Sequence, residues 1–233
     1  VFAGKLAAEL KKIGFDYLAA EAFEKDIAPQ ARTITKDIGF YPMEPMYAGF
    51  LRHAMREGWT FVTYDNGALN PDPAQRERLR EISAANKNVE KVFAKNPRAK
   101  LFMYVGYGHA VKMDAARPDG WKSVATLLRE KLGIEPLTID QTTMYGRGDV
   151  RTDHPQYRAA IQRFAPDKAV VLKTAAGGYA MVGIKPGSYD VQVFHPDETR
   201  LTQHGRPLWM ETQAGLKPRA GPGRLVPGRG RPL

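Results

Sequence analysis

Four times in its first 140 residues the chain passes from an amphipathic helical stretch, across a glycine or a proline, into a short apolar run. Nothing else in the sequence restricts the fold as much. Residues 3–13, AGKLAAELKKI, set Leu6, Leu10 and Ile13 on one helical face, and Gly14 stands where a helix-terminating glycine belongs. The run FDYLAAEAF then reads as a buried strand with Glu21 among apolar neighbours. A polar stretch up to Tyr41 has no clear period and reads as a long excursion from the fold. The second unit has a helical EPMYAGFLRHAMRE over 44–57, with Pro45 acceptable in its first turn, and after Gly58 the strand WTFVTYD ends in Asp65. The third opens at the cap Asp72 and runs as one long helix through DPAQRERLREISAANKNVEKVFAK. It leaves at Pro97 and enters AKLFMYVG, the most hydrophobic strand of the chain. GWKSVATLLREKLG followed by IEPLTID makes the fourth. Strands that stay apolar along their length belong to parallel sheets covered on both sides, and the helices between them serve as crossovers. The predicted class is α/β: a mostly parallel sheet with helices on both faces.

Past Asp140 the texture changes. YRAAIQRF reads as one more helix, and AVVLKT, YAMVGI and YDVQVF read as short strands joined by Gly-Gly and Pro-Gly turns. The expected organisation is an α/β domain over 1–145, a small mixed or antiparallel β appendage over 146–212, and a basic Pro/Gly-rich tail over 213–233 without fixed structure. The net charge of +10 invites a nucleic-acid reading, but its distribution argues against one. From Arg206 onward, six Lys or Arg residues face a single acid, Glu211, so the last stretch carries half of the excess. No nucleic-acid motif accompanies it. No apolar run reaches the length of a membrane span. With no cysteine in the chain, disulfides, thiolate catalysis and cysteine-ligated zinc are excluded, while export and a cytoplasmic location both stay open. The chain begins with Val1 and runs directly into a helical pattern, which leads us to expect missing sequence upstream.

Chemistry in an open parallel sheet gathers beyond the carboxyl ends of the strands. Glu21, Asp65, His109 and Asp140 all fall at such ends. His109, in KLFMYVGYGHA, supports two readings. It is a loop histidine bonded to a carbonyl after a tight Gly106/Gly108 turn, or it is a general base or metal ligand. Glu21 divides the same way, into a strand-end acid that is solvated or paired, and a carboxylate kept in an apolar strand for its chemistry. Asp65, in TYDNG, suits turn formation better than catalysis, and Asp140, in IDQTT, shares that ambiguity. His53, His154 and His195 read as structural. The Walker and dinucleotide glycine patterns are both incomplete, and the nucleophile elbow of serine hydrolases is absent.

Gly106-Tyr-Gly-His109 has the form G-x-x-H directly after a hydrophobic strand, and GFDYLAAE brings a glutamate to a strand end after a helix and a glycine. Together these resemble, over roughly residues 1 to 140, the superfamily that holds the erythromycin esterases, the ChaN-like haem-binding lipoproteins and the TraB and TIKI proteins. The resemblance implies an α/β domain and a hydrolase in which Glu21 and His109 activate water for attack on an ester or amide. It also implies a divalent metal held by His109 and Glu21 in metal-dependent peptidases. In the haem binders it implies a ligand site without turnover, with His109 or Tyr107 as an axial candidate. RLREISAANKNV is similar to the esterases' Arg-acid helix, which would bring in Arg80 and Glu81 with Asn86 or Asn88 downstream. An early glycine-histidine motif of the superfamily would lie before Val1. The partner in each case is a small-molecule substrate or ligand.

Overall fold

The structure is a computed structural model of the chain. It describes residues 2–21, 23–24, 27, 31, 33–39, 41–64, 72–112, 116–147 and 149–198, the side chains of 36, 74 and 86–88 apart. By its backbone contacts the chain separates into Val1–Asp197 and Glu198–Leu233. Asp65 and the basic 213–233 tail lie outside the described residues.

The main sheet has three strands, all parallel. β1 (Tyr17–Ala20) lies in the centre, between β2 (Thr60–Thr63) and β3 (Leu101–Tyr104). Leu18 pairs in register with Phe61 and Phe102, and Ala20 with Thr63 and Tyr104. Successive side chains point to opposite faces of a sheet, so each strand divides its apolar residues between two cores. On one face Leu18, Ala20, Phe61, Phe102 and Tyr104 pack with Ala7 of α1 (Phe2–Lys12) and with Leu51 and Ala54 of α2 (Pro45–Arg56). On the other, Leu101 and Met103 pack against Ala84, Ala85 and Val89, and against Val124, Leu127 and Leu128 of a later helix (Val124–Leu132). Both faces are thus covered by helices, as continuous apolar strands require.

The helix ends follow from local chemistry. The Glu44 side chain accepts from the backbone N–H groups of Met46 and Tyr47, and Pro45 occupies the first turn of α2. The long helix expected over 72–95 is divided in three. α3 (Pro73–Ile82) passes into a π-helical stretch, Ser83–Val89, and then into α4 (Glu90–Lys95). The Glu90 N–H reaches back five residues to the Ala85 carbonyl, which widens the turn there. After β3 comes a single helical turn, α5 (Tyr107–Ala110), and then α6, the Val124–Leu132 helix, capped by Ser123 and ended by Gly133 at φ 63°.

The fourth strand departs from expectation. IEPLTID does not extend the main sheet. Its end forms β4 (Ile139–Met144), which pairs in parallel with β6 (Val191–Phe194), and β6 pairs antiparallel with β5 (Val170–Val171). The second sheet is therefore mixed, ordered β4-β6-β5, with β6 parallel to β4 and antiparallel to β5. Polar pairing fixes this choice. The Asp190 carboxylate accepts from the Thr138 N–H at 2.7 Å and from its hydroxyl at 3.0 Å. The buried Gln192 amide donates to Asp140 at 3.0 Å. YAMVGI forms no strand, only an isolated bridge from Tyr179 to Lys173. The Gln192 side chain takes the place of a neighbouring strand there, accepting from the Val182 N–H at 2.8 Å and donating to its carbonyl at 2.9 Å. α7 (Pro155–Phe164) closes this second core with Tyr157 and Ile161 against Met144 and Phe194.

Candidate active site

Parallel pairing places the residues just past β1, β2 and β3 at one rim of the sheet, and there Glu21, Tyr64 and Gly106 begin the site. The Gly106 N–H donates to Glu21 Oε2 at 2.8 Å. α5 then delivers His109, whose Nε2 lies 3.4 Å from Glu21 Oε1. The two residues singled out from strand ends, 88 positions apart in sequence, meet at this rim. Both side chains keep a small solvent opening, 12% for His109 and 14% for Glu21.

α3 adds the other half. Glu81 is fully buried, a position that is costly for a carboxylate without partners. It has three. The Tyr64 hydroxyl lies 3.0 and 3.2 Å from its two oxygens. The Val124 N–H, in the first turn of α6, donates to Oε2 at 2.7 Å, at the positive end of that helix dipole. His109 Nδ1 meets Oε1 at 2.6 Å. With Nδ1 committed to Glu81, Nε2 becomes the nitrogen turned toward Glu21. One residue earlier on α3, Arg80 sets its guanidinium 3.1 Å from that Nε2, 3.5 Å from Glu21 Oε1 and 2.8 Å from Glu77. The rings of Tyr64 and Trp121 flank the imidazole edge-on, at 6.0 and 6.2 Å between centroids.

The electrostatics follow from this enclosure. Burial works to lower the His109 pKa, but its hydrogen bonds to Glu21 and Glu81 and their negative charges outweigh it and raise the value to about 9. Burial likewise works to raise the Glu21 carboxyl. The His109 bond and charge, the Gly106 amide and the Arg80 charge overcome that and hold it at about 2. The Tyr64 hydroxyl, buried beside Glu81, is pushed well above its usual range and stays a donor. At neutral pH the resting crevice therefore holds a cationic imidazole between two carboxylates. When the ring gives up its Nε2 proton, that nitrogen can accept from Arg80 instead of donating to Glu21.

Gly106 is required for closeness, not for backbone freedom, since its φ of −59° suits any residue. A Cβ there would lie 2.9 Å from Glu21 Oε2 and 3.3 Å from His109 Cδ2. Gly106→Ala should push the carboxylate off the Gly106 amide and loosen the ion pair. The expected loss is about 1–2 kcal/mol, read by urea unfolding, together with a lower His109 titration midpoint in proton NMR. An unchanged midpoint would show that the pair does not depend on this close approach.

The donor set does not fit a metal ion. The Arg80 cation stands at His109 Nε2, and Nδ1 is taken by Glu81. Among the described residues no group of three or more acidic or histidine side chains is arranged to hold a metal. As a haem ligand His109 would have to give up one of its two nitrogen contacts, whereas Tyr107 is 72% exposed. Asp140 is buried within the second sheet, bonded to Gln192, Thr142 and Thr143. His154 caps α7, and His195 Nε2 lies 3.1 Å from the Gln141 carbonyl, so both serve the structure. The side chains of Asn86 and Asn88 lie outside the described residues. The structure brings together Glu21 and His109, singled out at strand ends, with Arg80 and Glu81, to which the resemblance pointed. Tyr64, Trp121 and the Val124 amide were missed. Tyr64 alone left a trace in the sequence, as the last residue before Asp65 at a strand end.

No family model matches the chain, and neither the curated proteins nor the solved structures contain a match to it.

Proposed function

We propose that the chain is a hydrolase of the erythromycin esterase and ChaN-like type, activating water against an ester or amide in the crevice between Glu21 and His109. The observation that carries this reading is the buried Glu81 carboxylate at His109 Nδ1, which leaves Nε2 aimed at Glu21. A carboxylate that fixes the tautomer and steadies the imidazolium is the arrangement by which other hydrolases make histidine a proton carrier.

In this reading Glu21, held ionised by its neighbours, accepts a hydrogen bond from the attacking water and orients it. His109 takes the water's proton at Nε2 and returns it to the departing alkoxide or amine. Glu81 keeps the ring in one tautomer throughout. Arg80 supplies a fixed positive charge beside the same atoms, where an oxyanion develops as the carbonyl is attacked. The base form of His109 is neutral, so kcat/KM should climb about tenfold per pH unit up to roughly pH 9.

The test is a panel of nitrophenyl esters, lactones and small amides, run on the full chain. Glu21→Ala and His109→Ala should each lower kcat by about 10²- to 10⁴-fold on any substrate that turns over. If both variants keep wild-type turnover, the role assigned to this pair is wrong.

A further inference from the structure

The turn that carries His109 has little strength of its own. α5 is four residues long, and Gly106 before it offers no side-chain cap. An isolated turn of that length does not hold itself in water. Yet His109 must stay within hydrogen-bond reach of Glu81 on one side and close to Glu21 on the other.

The second sheet supplies the hold. Just before β6, three consecutive residues each grip the segment around His109. The Tyr189 hydroxyl donates to the Tyr107 carbonyl at 2.7 Å. The Ser188 carbonyl accepts from the Lys112 N–H at 2.8 Å. Asp190 pairs with Lys112 Nζ at 2.8 Å, and Glu135 pairs with the same ammonium. These partners are themselves anchored. Asp190 is bonded to Thr138 ahead of β4, and Tyr189 is only 9% exposed. The tie to Tyr107 is the one made within α5, two residues before the imidazole.

We propose that Tyr189 is a positioning residue for His109: by pinning the Tyr107 carbonyl it sets the α5 turn so that the imidazole reaches both carboxylates at once. The second sheet then acts as a brace for the site on the first. The consequence for turnover rests on the hydrolase reading above, whereas the positioning itself does not. The groups that face the ring are Glu21 from the end of β1, Tyr64 from the end of β2, Arg80 and Glu81 from α3, and Trp121 ahead of α6. None of them changes when Tyr189 is altered. A shift in the titration of His109 would therefore report its placement and not a new charge nearby.

The experiment uses the full chain with the His109 ring resolved by proton–nitrogen NMR. Tyr189→Phe removes only the hydroxyl. The His109 titration midpoint should fall by about one pH unit from its wild-type value near 9, because both carboxylate contacts lengthen. On a substrate that turns over, kcat should fall about ten- to a hundredfold with KM little changed. Tyr157→Phe is the matched control. It removes a hydroxyl that meets the Pro196 carbonyl at 3.3 Å in the same second core, not a group of α5, and it should leave the midpoint in place. Lys112→Met, which cuts the neighbouring tie, should move the midpoint in the same direction as Tyr189→Phe, by less. The proposal is overturned if the midpoint is unmoved in Tyr189→Phe, or if Tyr157→Phe moves it equally. A wild-type protein without hydrolytic activity would defeat the hydrolase reading alone, since the titration needs no substrate.

Discussion

Glu81→Ala is expected to lower stability by about 3–5 kcal/mol, the usual consequence of removing one partner from a buried charge pair. Three donors meet on this carboxylate: the Tyr64 hydroxyl, the Val124 amide and His109 Nδ1. Each sits where water has little access, so each would be left with an unmade hydrogen bond. The imidazolium would lose its nearest counter-charge, and a void would open beside Ala84, Ala85 and Val124, all buried residues. In a chain of this size the melting temperature should fall by on the order of 10 °C. Glu81→Gln separates the parts. It keeps the volume and an acceptor oxygen but not the charge, and about half of the loss should remain. Urea unfolding of both variants beside wild type makes the check. A Glu81→Ala protein within 1 kcal/mol of wild type would mean that this carboxylate does not tie α3, α5 and α6 together.

The second large effect is a band of pH in which the fold is most stable. His109 has a folded-state pKa raised from 6.5 to about 9. Its contribution is therefore complete below about pH 6.5 and is lost as pH rises through 9. That contribution amounts to about 3 kcal/mol. Glu21 moves the other way, from 4.5 to about 2. Its contribution is complete above about pH 4.5 and is lost as pH falls toward 2. The acid limb is the shallower of the two, because this carboxyl stays partly open to screening solvent. Unfolding free energies measured from pH 3 to 10 should show a plateau between about 4.5 and 6.5. Subtracting the curve of His109→Gln isolates the alkaline limb from every other group. If the two curves stay parallel between pH 6.5 and 9, the imidazole is not held between the two carboxylates.

The fold and the site were legible to different depths. Continuous apolar strands such as AKLFMYVG carried the parallel sheet, because a strand with no polar face has to be covered on both sides. The same rule misplaced IEPLTID. Its partner was chosen by Asp190 and Gln192, some fifty residues later in the chain, through side-chain bonds that leave no periodic signal. The π-helical stretch at Ser83–Val89 was equally hidden, since the apolar spacing of Ala84, Ala85 and Val89 suits an ordinary helix. At the site, Glu21 and His109 stood out as polar groups at the ends of apolar runs. Glu81 did not, being one acid in an arginine-rich helix where a solvated face is the ordinary expectation.

Residue order alone dictated that short apolar segments alternate with amphipathic helices, and from this came the parallel sheet and the rim on which a glutamate and a histidine would meet. That is local information, carried by spacing and by punctuating glycines. Tertiary packing alone decided which charge is dry. Tyr64, the first amide of α6 and His109 converge on Glu81 from three separate segments, and that convergence makes a buried carboxylate stable, while Glu21 and Glu81 together raise the basicity of the histidine. Desolvation and charge pairing depend on neighbours in space, and no stretch of sequence contains them.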